Sequence, residues 1–333
     1  MPAGLATIRD QTAMMYYGEV PWHSLGRKLD KPATAAEAIK AAQLDWEVEK
    51  KPLYVTQGQQ YRKLPNRFAV VRKDQLAGDE PPDVLGIVAK GYTPLQNSAA
   101  FDWFDPIADG AKAIYHTAGA LGGGERVWIL AKLPDTIQVV GDDIADKYLL
   151  LSNSHDGSSS VQVKFTPIRV VCCNTLTMAL TQGKGVRVAH TPSLPARMAA
   201  ARDALGIIRE RFEEIARAFR RMAAVSVSHE RLAHYVDRVF QMPADEHDER
   251  ARARVLLARV ESARLFEAGR GNDVAKVRGT LWAAYNGVAE FVDYAMAHRD
   301  ADRRLDAIWF GSGYLSKARA YRLALTCADV WRN

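Results

Sequence analysis

The stretch YLLLSNSHDGSSSVQVKFTPIRVVCCNTL (148–176) contains a turn signal between two β-like runs. Its Asp156-Gly157 pair is typical of the turn of a β-hairpin, because such turns need residues that tolerate positive φ angles. After the turn, Val161, Val163 and Phe165 alternate with polar residues, which is the period of a strand with one buried face. A β-like run also precedes the turn. The stretch therefore predicts an antiparallel hairpin.

A catalytic triad is the competing interpretation of this loop, since His155, Asp156 and several serines stand close together. A nucleophile, a base and an orienting acid must converge with hydrogen-bond geometry, and triads usually draw their members from separate segments. Neighbouring side chains diverge around a turn. We interpret the loop as the polar tip of the hairpin and expect no catalytic residue in it.

The run RVWILAKL (126–133) has the same alternation as the strand after the turn. If the two hairpins are neighbours, one surface of the sheet carries six polar or aromatic side chains: Arg126, Trp128, Lys132, Gln162, Lys164 and Thr166. Cations neutralise phosphates and an aromatic ring stacks a base, so this face is a candidate surface for single-stranded DNA. Arg169 is a further candidate, although Pro167 interrupts the alternation before it. The alternative is that a helix covers this face and Trp128 belongs to the core.

A second candidate segment is YGEVPWHSLGRKL (17–29), which combines aromatic and basic residues without hydrophobic periodicity. Arg27 and Lys28 therefore join the predicted DNA-binding residues. In the alternative interpretation, Trp22 anchors the N-terminal segment on the core and takes no part in binding.

The hydrophobic period changes near residue 190. Before this point, short β-like runs joined by Gly-rich or Asp-Gly links predict antiparallel hairpins, with helices near 33–42 and 95–111. From residue 192 onward the apolar spacing is helical. We therefore predict an α+β fold. An antiparallel β-hairpin sheet with packed helices forms a domain of residues 1–188, and an all-helical region of residues 189–333 follows.

The charge balance permits an anionic partner without requiring one. The 333 residues carry a net charge of +6; residues 1–190 hold 21 basic and 20 acidic residues, and the rest hold 24 and 19. No apolar run is long enough to cross a bilayer, and the start of the chain lacks a secretion signal. We therefore expect a cytoplasmic location and no membrane partner.

No catalytic or cofactor motif is complete in the sequence. GALGGGE (119–125) lacks the spacing of a dinucleotide-binding loop, and QGKGVR (182–187) lacks the residues of a P-loop. Three cysteines, two of them adjacent, give neither a disulfide framework nor the spacing of zinc ligands. We therefore expect a protein that is not an enzyme, with no catalytic residues, no cofactor and no metal.

Four ordered segments resemble a phage- and plasmid-borne family of unknown function. They are PWHSLG (21–26), GYTPLQN (91–97), SNSHDGSSSVQ with TPIRVVCCNTL (152–176) and TLWAAYNGVAEFVDY (280–294). The resemblance runs over nearly the whole chain. It implies a bacterial mobile-element context, but it implies no particular chemistry.

The order of elements in residues 84–182 also resembles the β-rich core of single-strand annealing recombinases of the Redβ, RecT and Erf type. That resemblance implies a basic groove that binds phosphates with the bases exposed, and side-by-side assembly into rings or filaments. With the candidate face, it predicts an ATP-independent recombination mediator that binds and anneals single-stranded DNA as a homo-oligomer. The alternative is an interaction protein of a mobile element that blocks a host restriction or defence system.

Overall fold

The structure is a computed structural model that describes residues 4–19, 21, 24–78, 81–169, 186–204, 208–296 and 304–331. It confirms the predicted fold class, because antiparallel hairpins with packed helices come first and a helical region follows. Residues 170–185, which include Cys172 and Cys173, lie outside the described residues.

The strands, numbered along the chain, form one large and one small sheet. The large sheet has the spatial order β12 (Val186–Val188), β11 (Val161–Arg169), β10 (Asp143–Ser154), β9 (Arg126–Val140), β8 (Ile114–Leu121), β3 (Met14–Tyr17) and β4 (Arg27–Leu29). The small sheet has the order β5 (Val48–Gln57), β6 (Gln60–Arg72) and β7 (Val84–Ala89). A short ladder joins β1 (Thr7–Ile8) and β2 (Gln11–Thr12). Pairing within both sheets is antiparallel except between β3 and β4.

The described helices are α1 (Ala35–Ala41), α2 (Asn97–Gly110), α3 (Leu194–Ala204), α4 (Ile208–Ala223), α5 (His229–Val239), α6 (Glu249–Ala268), α7 (Leu281–Glu290), α8 (Arg304–Trp309) and α9 (Ser312–Val330). A π-helical turn, Phe291–Ala295, follows α7. Capping residues explain where two helices begin: Thr34 forms a capping box with Glu37, and the Ser228 hydroxyl accepts the Arg231 N–H. Within the described part of the chain, no helix is both long and apolar enough to cross a membrane.

One face of the large sheet packs against the helices. Phe165 of β11 meets the Phe212 ring of α4 edge-on, with centroids 5.4 Å apart. The Trp282 indole of α7 donates from Nε1 to Asp143 Oδ2 of β10 at 2.6 Å. Residues before and after position 188 thus share one hydrophobic core. The division into domains 1–188 and 189–333 stays a prediction.

The hairpin predicted around Asp156-Gly157 is present, but its loop differs from the prediction. β10 and β11 are joined by residues 155–160, which is longer than a two-residue turn. Gly157 has a φ of +77°, and the Asp156 carboxylate accepts the Ser158 N–H. His155 was expected at the polar tip, and this is wrong: its side chain is fully buried.

Candidate nucleic-acid interface

The alternation in β9 and β11 places five of the predicted DNA-binding residues on one face, as the sequence indicated: Arg126, Trp128, Lys132, Gln162 and Lys164. Trp128 lies opposite Ser152, which in turn lies opposite Gln162. Two residues away on β10, Leu150 lies opposite Lys164. Directly opposed residues of antiparallel strands share a face, so these side chains all point away from the main helical layer.

This face is covered, however, by the corner between α8 and α9. Trp128 is 0% exposed and meets the Trp309 ring edge-on, with centroids 5.6 Å apart. Its Nε1 donates to the Thr117 hydroxyl at 3.2 Å. The prediction that Trp128 stacks a DNA base is therefore wrong, because neither ring face is open and the indole is part of a second core.

Lys164 is also buried, with 7% of its surface exposed. Its Nζ lies 4.1 Å from the Tyr314 ring centroid and 5.1 Å from that of Phe310, and it donates to the Trp309 carbonyl at 3.4 Å. Burial, and then repulsion from Arg187, lower the pKa of Lys164 to about 8. An open cationic strand face was predicted here, and the structure shows a closed one.

The remaining predicted residues have different surroundings. Lys132 forms an ion pair with Asp146 at 2.6 Å, so its charge is already balanced. Gln162 and Arg126 are half-buried, and the Arg126 guanidinium lies 4.7 Å from the Phe310 ring centroid.

Two predicted cations lie apart from the others. Arg27 and Lys28 are exposed on β4, which is the edge of the large sheet opposite β12. The Arg169 side chain, Trp22 and His23 lie outside the described residues.

The structure instead shows an open aromatic and cationic surface in the small sheet. Residues 53–67 form the far end of the β5–β6 hairpin, and most of their side chains are exposed, on both faces of the two strands; we call this segment the hairpin arm. A register shift between Pro52 and Tyr54 marks its base. Tyr54 is 55% exposed and Tyr61 is 79% exposed. None of the DNA-binding residues predicted from the sequence lies in this segment.

The arm is cationic and its two faces differ. Residues 53–67 include Arg62, Lys63 and Arg67 and no acidic residue. All three cations are exposed, and none forms an ion pair with a described residue. Tyr54 lies opposite Lys63 and Thr56 lies opposite Tyr61, so both tyrosines and Lys63 share one face. Arg62 lies on the other face, opposite Val55.

The tip of the β10–β11 hairpin holds the small sheet in place. A Cβ added at Gly86 of β7 would collide with the backbone of Asp156. The Tyr92 hydroxyl donates to the Ser154 carbonyl at 2.6 Å. At the base of the arm, Lys50 Nζ donates to the Tyr92 carbonyl at 2.6 Å. The two sheets are thus joined by backbone contact and by hydrogen bonds.

A buried polar cluster lies beside this junction. Asn97 Nδ2 donates to the carbonyls of Leu44 and Trp46, so its Oδ1 is the atom that accepts from His155 Nε2, at 3.0 Å. His155 Nδ1 has no hydrogen-bond partner among the described residues. Burial, and then the nearby His190, lower the pKa of His155 to about 3, so the imidazole is neutral at physiological pH. Across the described ranges, no three His, Cys, Asp or Glu side chains lie close enough together to hold a metal ion.

A family model described as a domain of unknown function, DUF932, matches residues 84–309. The chain belongs to the DUF932 family. The DUF932 match begins at the first residue of β7 and ends at the last residue of α8, so the hairpin arm lies before it. The description of DUF932 assigns no activity. No curated protein and no solved structure matches the chain.

Proposed function

We propose that this protein binds single-stranded DNA through the hairpin arm, without a nucleotide cofactor. The observation that carries the proposal is the shared face of Tyr54, Tyr61 and Lys63, which is open to solvent. Tyr54 and Tyr61 are largely exposed, and aromatic rings beside cations bind unpaired bases and phosphates. The binding surface is thus assigned to the small sheet instead of the β9–β11 face.

Annealing and assembly are the finer part of the proposal. The resemblance to phage and plasmid proteins and to annealing recombinases supports a recombination mediator that acts as a homo-oligomer. An arm that stacks bases and contacts phosphates needs no ATP to do so. Several arms in one assembly would hold one strand by avidity and leave its other bases free to pair.

The first prediction concerns the aromatic and cationic contacts of the arm. Fluorescence anisotropy of a labelled single-stranded oligonucleotide, titrated at several salt concentrations, gives the affinity and its salt slope. Tyr61→Leu keeps a strand-forming residue and should weaken binding by about 1–3 kcal/mol with little change in slope, because it removes a stacked ring. Lys63→Gln should flatten the slope of log K against log salt by about 0.7, because one fewer counterion is released.

The matched control is Arg62→Gln, which removes the same charge from the neighbouring residue on the opposite face. Its effect should be smaller, because screening weakens charges that lie about 10 Å from the bound strand. Equal affinity of the wild type, Tyr61→Leu and Lys63→Gln proteins, all folded, would exclude the arm as the binding surface.

A second candidate function is an interaction protein directed at a host defence or recombination protein. It is favoured by an exposed apolar patch on α6, formed by Leu256, Leu257 and Val260. Exposed patches of this kind mark protein contacts more often than nucleic-acid contacts. Loss of oligonucleotide binding in all arm variants would disfavour this candidate.

A further inference from the structure

The turn at the end of the hairpin arm fixes which side chains of its two strands lie opposite each other. Gly58 and Gln59 form a two-residue turn between the paired residues Gln57 and Gln60. Gly58 has a φ of +62°, and a Cβ added there would meet no atom within 4 Å, so the backbone angle requires glycine and the available space does not. Loop length and turn type set the register of a hairpin, and the pairing is regular from this turn back to Tyr54.

This register places the two tyrosines of the arm diagonally across the two strands. Tyr54 lies opposite Lys63, and Tyr61 lies opposite Thr56 in the next pair on the same face. Diagonal neighbours of an antiparallel pair are about 7–8 Å apart, which aromatic side chains can bridge. The face therefore carries two exposed rings whose points of attachment are separated by about 7–8 Å.

A separation of this size matches one nucleobase. Successive bases of a stacked strand are about 3.4 Å apart, so a base with an aromatic ring on each side needs about 7 Å between the two rings. A base inside a duplex already has neighbours on both of its faces, and it must leave the stack before it can enter such a gap. The spacing of the two tyrosines thus favours an unpaired base.

The other diagonal of the same face carries polar side chains. Lys63 offers an ammonium group with three donors, and the Thr56 hydroxyl can donate or accept at the edge of a base. Both side chains are exposed. Residues 53–67 contain no acidic residue, so no charge of the arm itself repels a phosphate.

We propose that Tyr54 and Tyr61 clamp a single unpaired nucleobase between their rings, with Lys63 at its phosphate. This inference rests on the proposed function, and it names the ligand of each hairpin arm as one base instead of a longer run of stacked bases. The clamp tolerates any sequence, because every base has two π-faces. The neighbouring bases of the strand stay outside the clamp.

Stabilisation of the hairpin by contact between the two rings is the competing role. Cross-strand aromatic pairs stabilise a hairpin when the rings pack against each other, and such packing shields both rings from solvent. Tyr54 is 55% exposed and Tyr61 is 79% exposed, which leaves most of each ring uncovered. The exposure fits rings that wait for a ligand better than rings that hold the strands together.

Strands of abasic residues test how many bases one arm binds. We compare by fluorescence anisotropy, with the full-length protein, three strands of equal length that carry no base, one adenine or two adjacent adenines. The first adenine should raise the affinity at least about tenfold, and the second by no more than about twofold, because one base fills the clamp. A blunt-ended duplex of ordinary bases should compete at least about tenfold more weakly than its separated strands.

The strand with one adenine also shows whether both rings contact the same base. Tyr54→Leu and Tyr61→Leu should each weaken its binding at least about fivefold, because each removes one side of the clamp. If the rings stacked on separate bases, either single variant would still hold the one adenine on the remaining ring and would bind it within about twofold of the wild type. Tyr54→Phe and Tyr61→Phe keep the rings; as matched controls they should bind as the wild type does.

The outcomes separate the clamp from the proposed function. A second adenine that raises the affinity as much as the first, or single leucine variants that bind the one-adenine strand as well as the wild type, overturn the clamp and leave the arm as a binding surface. A wild-type protein that binds no single-stranded oligonucleotide of ordinary bases overturns the proposed function as well. The comparison of the three strands needs only wild-type protein, so it decides even if a leucine variant does not fold.

Discussion

At the scale of single residues, His155 and Trp128 show what a strand pattern leaves open. The alternation of β9 correctly placed Trp128 on the face away from the main helices. It did not indicate that α8 and α9, about 180 residues later in the chain, return to cover that face. Likewise the turn at Asp156 was predicted, but the burial of His155 depends on Asn97 from a distant segment. The local sequence pattern determines on which face of the sheet a side chain lies. Whether that side chain is buried depends on contacts with distant parts of the chain.

The buried imidazole of His155 makes stability depend on pH. Its pKa is lowered from 6.5 to about 3, first by burial and then by repulsion from His190, and the charge of Asp156 opposes this shift only partly. Below pH 6.5 the unfolded chain therefore binds a proton that the folded chain does not accept until about pH 3. By linkage, stability should fall as the pH falls through this window.

The prediction is tested by urea unfolding of wild type and His155→Gln at pH 7, 6 and 5. Glutamine is neutral at every pH and keeps a donor for the Asn97 amide oxygen. The wild type should lose up to about 2 kcal/mol more than the variant between pH 6.5 and pH 5, because each pKa unit of proton linkage is worth about 1.4 kcal/mol. Parallel pH dependences of the two proteins would show that His155 is protonated in the folded state.

At the scale of secondary-structure elements, hairpin signals and helical spacing were enough to predict most of the elements. The helices predicted near 33–42 and 95–111 are present as α1 and α2. The π-helical turn after α7 was not predicted, because its sequence continues the helical spacing. The short strands β3 and β4 were not predicted either, since four and three residues carry too little periodicity.

The hairpin arm extends beyond any core, which predicts that it can be shortened without unfolding the protein. Replacing residues 55–62 by Asn-Gly keeps the Tyr54–Lys63 pair and closes it with a favoured two-residue turn. Thermal or urea unfolding should change by less than about 1 kcal/mol, since no buried side chain is removed. The shortened protein should no longer bind the oligonucleotide, because Tyr61 is among the residues removed. A shortened, folded protein that still binds with wild-type affinity would place the DNA elsewhere.

At the scale of the whole molecule, one chain presents little binding surface for a long strand. The arm offers two tyrosines and three cations, a set that supports only weak contacts with a few nucleotides. Annealing needs many such contacts held in a row. Linked sites gain affinity because the second contact is intramolecular. The proposed function therefore requires self-association, and the α6 patch is an apolar surface on which copies can meet.

Size-exclusion chromatography with light scattering at micromolar concentration, with and without oligonucleotide, tests this last prediction. Wild type should form a species of several subunits. Val260→Glu places a charge in the centre of the α6 patch, where it should shift the protein toward the monomer by opposing burial of that surface. Arg254→Gln on the same helix is the matched control for a charge change at an exposed position, and it should leave the mass unchanged.

The monomeric variant should retain weak oligonucleotide binding through its single arm but lose annealing, because avidity and not the contact itself has been removed. A wild-type protein that stays monomeric with and without DNA would contradict the annealing proposal and leave the protein-partner candidate.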